Sequence, residues 1–293
     1  MRILIAGGTG FIGRHLSSYL VSQGYKITIL TRVIPSKKNS SFHYRDSLNN
    51  KDSYDVIINL SGKSLNSGRW NNKLKNELVN SRIDSTQKII NYIKETKEKP
   101  NVFINASAIG VYGSHFFEKF TENSQKKEQS FLSNLCEKWE NIASKVSDPN
   151  VRVCYLRTGI VLGSDGGALK SMQIPFKFGL GASLGDGNQW MSWIHIEDVV
   201  RSILFIIQNK EISGPVNIVS PNPVTNKDFS KALASSLNRP LFFSIPKVVI
   251  KILLGEMGSE LLLSSQFVVP EKLIKNGYTF KYAHLKDALK AII

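Results

Sequence analysis

Residues 2–13 read Arg2-Ile3-Leu4-Ile5-Ala6-Gly7-Gly8-Thr9-Gly10-Phe11-Ile12-Gly13, an apolar run that breaks into glycines at positions 7, 10 and 13. The run has the composition of a buried strand. The amphipathic stretch Phe11 to Gln23, ended by Gly24, has helical spacing. A turn between such elements needs backbone angles and close approaches that a Cβ would obstruct. The helix that follows offers unpaired N–H groups and the positive end of its dipole to a phosphate. In this strand–turn–helix setting the glycines predict a dinucleotide cradle built from Gly7, Gly10, Phe11, Ile12 and Gly13.

The same alternation continues outward. Lys26 to Leu30, Asp55 to Leu60, Asn101 to Ala106 and Val151 to Leu156 are short apolar runs. Helical stretches Asn71 to Lys97 and Leu132 to Lys145 fall between them, and Ile34 to Ser53 is polar loop with room for one short element. This βαβ rhythm predicts an α/β Rossmann fold, a doubly wound parallel sheet. After Gly163 the pattern changes to Gly-rich loops, the strand Val216 to Val219 and a helix-rich tail. The expected division is a Rossmann domain over 1–163 and about 196–219. A smaller substrate-facing lobe then covers 164–195 and 220–293.

The 293 residues carry 38 Lys+Arg against 23 Asp+Glu, a net charge of +15. Such a field attracts phosphates. The cations are spread out, and runs such as Lys94 to Lys99 and Lys126-Lys127 are mixed with Glu, as in a solvated face. No specific nucleic-acid partner is expected, since no nucleic-acid motif accompanies the charge. No apolar run approaches the roughly 18–20 residues of a membrane span, so no membrane partner is expected either. Cys136 and Cys154 form neither a disulfide framework nor a metal spacing, and no metal site is expected. A strand that starts straight after Met1 leaves no room for a removable targeting peptide. The expected location is the reducing cytoplasm.

The end of the second strand refines the cofactor. An acid there accepts hydrogen bonds from the ribose of NAD, whereas this chain has Thr31-Arg32. A guanidinium grips a 2′-phosphate where a carboxylate would repel it. NADP(H) is the expected cofactor, with Thr31 and Arg32 at the adenosine phosphate.

Further landmarks are Ile58-Asn59-Leu60-Ser61-Gly62, Ser81-Arg82, Ser107-Ala108-Ile109-Gly110-Val111-Tyr112-Gly113 and Leu156-Arg157-Thr158-Gly159. Trp190-Met191-Ser192-Trp193-Ile194-His195 and Gly255-Glu256-Met257 follow. With these the chain resembles the short-chain dehydrogenase/reductase superfamily, in its extended epimerase/dehydratase branch. It is most similar to the atypical epimerase family proteins that carry a C-terminal domain of unknown function. The resemblance implies that Leu60 and Ser61 end the third main strand beside the adenine–ribose side of the cofactor. It also implies that Glu77 and Arg82 contact NADP, that Ile160 lies near the nicotinamide end, and that a homodimer is plausible. Leu60 is open between core and cofactor contact.

Oxidoreductases of that superfamily use a Tyr as acid/base and a Lys four residues on, because a phenol near pKa 10 is a poor base without a cation beside it. The corresponding stretch, Phe131 to Glu140, contains no Tyr. The tyrosine position falls on Phe131 or Leu132 and the lysine position on Leu135 or Cys136. Tyr112, Ser107 and His195 are the substitute catalytic candidates, although direct counting from Tyr112 puts Ala108 at the carbonyl-polarising position. His195 is equally a structural histidine, and Cys136 a core thiol. Trp190 and Trp193 are open between core and pocket wall. Two functions therefore stand: an NADP(H)-dependent oxidoreductase or epimerase-like enzyme with an altered catalytic set, and a non-catalytic NADP(H)-binding sensor or interaction protein.

Overall fold

Strands apolar on both faces need helical cover on both sides. The computed structural model, which describes residues 1–36, 39–125 and 129–293, provides that cover. Lys126-Lys127 lies outside the described residues. The first half contains β1 (Arg2–Ala6), α1 (Phe11–Ser22), β2 (Lys26–Leu30), β3 (Phe42–Arg45) and β4 (Val56–Asn59). It continues through α2 (Asn72–Glu95), β5 (Val102–Ala108), β6 (His115–Phe120), α3 (Phe131–Ala143) and β7 (Arg152–Thr158). The second half begins with β8 (Ile160–Leu162), α4 (Gly167–Lys177), β9 (Ala182–Leu184), β10 (Trp190–Met191) and β11 (Trp193–His195). Then come α5 (Ile196–Gln208), β12 (Gly214–Ile218), β13 (Val224–Thr225) and α6 (Asn226–Ser236). The chain finishes with β14 (Phe243–Ile245), α7 (Lys247–Leu262), β15 (Gln266–Val268), α8 (Glu271–Lys275) and α9 (Leu285–Ile292).

Seven strands form one sheet in the order β12-β7-β5-β4-β1-β2-β3, all paired in parallel. The doubly wound expectation holds. In register, Ile5 lies beside Ile29 and Ile58, which brings the ends of β1, β2 and β4 level. Leu16 and Leu20 of α1 and Val199 and Ile203 of α5 pack on one face. Ile89, Tyr92 and Ile93 of α2 and Ala143 of α3 cover the other. A further core joins α4, α6 and α9 around Trp193, Phe229 and Leu233.

Helix starts follow local chemistry. Asn71 caps α2 by accepting from the Leu74 N–H at 2.8 Å, and Ser130 and Ser133 form a reciprocal capping box at α3. The short element allowed within 34–53 is β3. Strands β5 and β7 run two residues beyond the expected Ala106 and Leu156. The β6–β15 ribbon, which joins residues 115–120 to 266–268, was not legible from local pattern.

A buried polar cross-link fastens α2 and α3 to the sheet. The Asn59 amide donates to Thr86 Oγ1 at 2.9 Å and to Asn105 Oδ1 at 2.7 Å. The Trp139 indole donates to the same Thr86 hydroxyl at 2.9 Å, and that hydroxyl donates to the Arg82 carbonyl at 2.7 Å. Thr86→Val keeps the shape but strands two buried donors. Its unfolding free energy in urea titrations should fall by about 2–3 kcal/mol with an unchanged slope. A loss below about 0.5 kcal/mol, the level of an ordinary surface change, would show that the fastening lies elsewhere.

Candidate functional site

The site begins where β1 turns into α1. Gly7 adopts φ +79°, and a Cβ on it would stand 2.8 Å from the Leu60 carbonyl. A Cβ on Gly13 would overlap the Gly7 carbonyl oxygen and the Gly8 backbone. Both positions therefore require glycine. The turn closes through Gly10 N–H donating to Gly7 O at 3.0 Å. No side chain caps α1, so its first N–H groups and dipole are left for an anion.

Phe11, the first residue of α1, packs its ring against Gly163, Gly166 and Gly167 and lies edge-on to His15 at 5.5 Å. Asp165 in that loop bonds His15 at 2.8 Å and Arg14 at 3.2 Å. Ile12 packs partly buried against the core below.

Thr31 and Arg32 stand at the end of β2. The Thr31 hydroxyl donates to the Val33 carbonyl at 3.1 Å, and its N–H donates to Arg45 O at 2.8 Å. Arg32 is exposed. Arg45, at the end of neighbouring β3, pairs with Asp52 at 3.6 Å. Across the turn, Leu60 packs partly buried on the core, and the Ser61 N–H donates to Asn59 Oδ1 at 3.2 Å. Glu77 of α2 accepts from Lys63 Nζ at 2.5 Å, and this bond holds its carboxyl below the usual carboxylate range.

Arg82, one turn further along α2, is 9 % exposed. Its Nη1 donates to the Leu78 carbonyl at 2.9 Å, and its guanidinium lies over the Trp139 ring at 5.1 Å. It also packs directly against the Gly62 backbone. Among the described residues no carboxylate pairs with it, and burial pulls its pKa below the ordinary guanidinium value. Facing α3, the turn after β5 packs Gly110 against Leu132 and Cys136. Burial pushes the Cys136 thiol up to about 12, so at neutral pH it is a protonated core group.

Ser107 and Tyr112 meet in a buried network behind that turn. The Ser107 hydroxyl donates to Glu140 Oε1 at 2.7 Å. Arg157 grips Glu140 through Nε at 2.9 Å and Nη2 at 2.8 Å, and its Nη1 donates to the Tyr112 oxygen at 3.1 Å. The Tyr112 hydroxyl donates to Asn217 Oδ1 at 2.7 Å, and its ring stacks on Phe120 at 5.1 Å. Burial raises the Tyr112 pKa, more than Arg157 lowers it. Glu140, Arg157 and Asn217 escaped the sequence reading, although a charge inside the apolar strand β7 was a usable signal.

His195 lies outside this network. It ends β11 and caps α5, its Nδ1 accepting the Glu197 N–H at 3.1 Å, with Tyr282 against its ring at 4.0 Å. Trp193 is fully buried core whose indole donates to the Asn222 carbonyl at 3.1 Å. Trp190 instead packs on Phe267 at 4.6 Å and lines a cavity of about 670 Å³ together with Phe116, Phe117 and Asp186. Ile160, half-buried at the start of β8, pairs in register with Trp193. From α7, Glu260 accepts the Phe131 and Leu132 N–H groups at 2.9 and 2.8 Å, at the start of α3.

With this geometry in place, residues 3–219 match the NAD dependent epimerase/dehydratase family, and residues 245–292 match a domain of unknown function (DUF1731). The chain belongs to that epimerase/dehydratase family. It is 38% identical over 300 residues to the epimerase family protein YfhF of Bacillus subtilis, covering 100% of this chain and 98% of that one. The human epimerase family protein SDR39U1 (isoform2), solved with NADPH, superposes with a TM-score of 0.91. It shares 30% identity over 100% of this chain and 99% of its own. UDP-glucose 4-epimerase from Thermotoga maritima, at 18% identity and a TM-score of 0.77, shares the fold over 99% of this chain and 96% of that one.

Burial holds the His195 pKa below its ordinary 6.5, outweighing Asp198 and Glu197. A depressed folded-state pKa means stability is fully present above the unfolded value and is lost as pH falls through the folded one. His195→Asn retains a capping acceptor but cannot titrate. Its thermal midpoint should decline less than that of the wild type between about pH 7 and pH 5, the range below the ordinary imidazole value. Parallel declines would remove His195 as the source.

Proposed function

We propose that this member of the NAD dependent epimerase/dehydratase family is an NADP(H)-dependent oxidoreductase or epimerase-like enzyme that works without the Tyr-x-x-x-Lys pair. Its substrate is a small carbonyl or hydroxyl compound. The observation that carries this reading is the buried Arg82 guanidinium, which makes one hydrogen bond to protein among the described residues. A cation withdrawn from water without a counter-ion is costly unless a ligand completes its bonding. The glycine turn, which has no room for a Cβ and leads into an uncapped helix, fits a pyrophosphate on the same side of the sheet ends.

The chain's own residues divide the work of binding. Gly7, Gly10, Phe11, Ile12 and Gly13 hold the pyrophosphate, and Thr31 and Arg32 take the adenosine phosphate. Leu60 and Ser61 border the adenine–ribose side, Glu77 and Arg82 contact the cofactor, and Ile160 borders the nicotinamide end. The preference for NADP(H) is supported by the exposed Arg32 at the position where NAD proteins carry an acid. The NADPH in the human relative's structure supports it too. Bound NADP(H) supplies the hydride chemistry. Tyr112 retains its proton at neutral pH and so serves as a donor rather than a base, with Ser107 and His195 the remaining acid/base candidates. Residues 164–195 and 220–293 form the substrate-facing lobe, with Trp190 on its cavity wall.

A second reading, a non-catalytic NADP(H)-binding sensor or interaction protein, draws on Leu132 and Cys136, an apolar pair with a protonated thiol, facing Gly110. Titration separates the parts. NADPH should bind more tightly than NADH. Arg32→Ala should weaken NADPH about 10- to 100-fold, the worth of a charge-assisted hydrogen bond, while leaving NADH unchanged. Tighter NADH binding would overturn the cofactor assignment. Nicotinamide absorbance is then followed with a panel of aldehydes, ketones and quinones. Tight NADPH binding without turnover on any of them would favour the sensor.

A further inference from the structure

The substrate-facing part of the chain exposes more apolar surface than a solvated face explains. Ile250 and Gly258 are the buried residues of α7, while Val248, Ile252 and Leu253 on its first half are each more than half exposed. A helix that is apolar around most of its circumference belongs where something covers it. The segment leading into α7 adds Phe242 and Phe243, and the segment before β9 adds Phe178 and Leu180, all likewise more than half exposed. These belong to one ribbon. Phe243 pairs in register with Ala182, Arg239 Nε donates to the Lys177 carbonyl at 3.0 Å, and α7 starts two residues after β14 ends.

Charge on the same segments is one-sided. Residues 166–185 and 229–255 contain Lys170, Lys177, Lys231, Arg239, Lys247 and Lys251 and no Asp or Glu, although the chain has 23 acids. Lys247 pairs with Asp186 at 3.0 Å, just beyond the acid-free stretch. Lys251 sits between Val248 and Ile252 on the exposed half of α7, with no carboxylate paired to it among the described residues.

We infer that this face docks on an anionic membrane surface, with Val248, Ile252 and Leu253 entering the headgroup–acyl boundary and Lys177, Arg239 and Lys251 meeting lipid phosphates. An apolar face interleaved with cations is the chemistry of an interfacial helix. A second copy of the chain would set the same cations against one another, which like-charge repulsion opposes. A nucleic acid would leave the aliphatic side chains without a partner. Among the described residues no helix is long and apolar enough to cross a membrane. Peripheral contact needs none, and on this point the inference departs from the expectation of no membrane partner.

The test is flotation of the full chain with vesicles of phosphatidylcholine alone and of phosphatidylcholine mixed with phosphatidylglycerol. The wild type should partition at least about ten-fold more strongly onto the anionic vesicles, with salt weakening the binding. Ile252→Asp combined with Leu253→Asp should reduce that binding at least about ten-fold with an unchanged thermal unfolding midpoint. Ile252→Gln serves as the milder change if the double variant unfolds. Lys251→Gln should weaken binding to the anionic vesicles alone. Absence of wild-type binding to anionic vesicles, or undiminished binding by a folded variant, would overturn the inference. So would a dimer in sedimentation velocity that the double variant dissolves, since the face would then belong to a second copy.

Discussion

The Gly7 backbone approaches the Leu60 carbonyl so closely that no Cβ fits between them, and much of the molecule is arranged around that contact. It brings the ends of β1 and β4 level and places the first turn of α1 over them. Gly13 lets the helix ride low on the turn. That height in turn carries the Phe11 ring into the 163–167 loop, where Asp165 bonds back to His15 and Arg14. The loop leads directly into α4, part of the core built on α6 and α9. The close approach at the glycine turn thus also seats one part of the chain on the other. A side chain added at Gly7 or Gly13 would disturb both.

Two guanidiniums withdrawn from solvent differ in how the protein compensates them. Arg157 is gripped by both oxygens of Glu140 and shares the Tyr112 hydroxyl, the bidentate arrangement that offsets desolvation. Arg82 has one carbonyl and the face of Trp139. Buried charges are ordinarily neutralised or ligated. Its position beside Gly62, with Cys136 close enough to feel its charge, puts the uncompensated charge where the resemblance implies a cofactor contact.

What was legible in the sequence was whatever depends on neighbours along the chain. The glycine turn, the Gly24 stop after α1 and the apolar runs of β1, β4 and β5 are local patterns, and each stood where expected within a few residues. Arg82 was legible through resemblance, but its lack of a counter-ion was not, because pairing is decided by side chains from distant segments. The Ser107–Glu140–Arg157–Tyr112–Asn217 network spans more than a hundred residues of chain and has no periodicity to betray it. The β6–β15 ribbon escaped for the same reason, since its partners come from distant parts of the chain, residues 115–120 and 266–268. Among the described residues no helix is long and apolar enough to cross a membrane, and that says nothing of contact at its surface. An interfacial face is assembled from three short segments, and it becomes visible once β14 and β9 are paired.

Helix α7 links that face to the site. At Gly255 the helix bends, with φ +60° and ψ −140°. Its outer half, from Lys247 to Leu254, carries the exposed apolar residues, whereas beyond the bend Glu256 pairs with Lys75 of α2. One turn later Glu260 accepts the first N–H groups of α3, beside Leu132. A carboxylate at a helix N-terminus is favoured by the dipole and by the unpaired N–H groups together, so this attachment is strong for its size. The contacts of Glu256 and Glu260 tie the part of α7 beyond the bend to the two helices that carry Arg82 and Cys136. The exposed apolar residues and the carboxylate that holds the start of α3 therefore lie on one helix, on opposite sides of its bend.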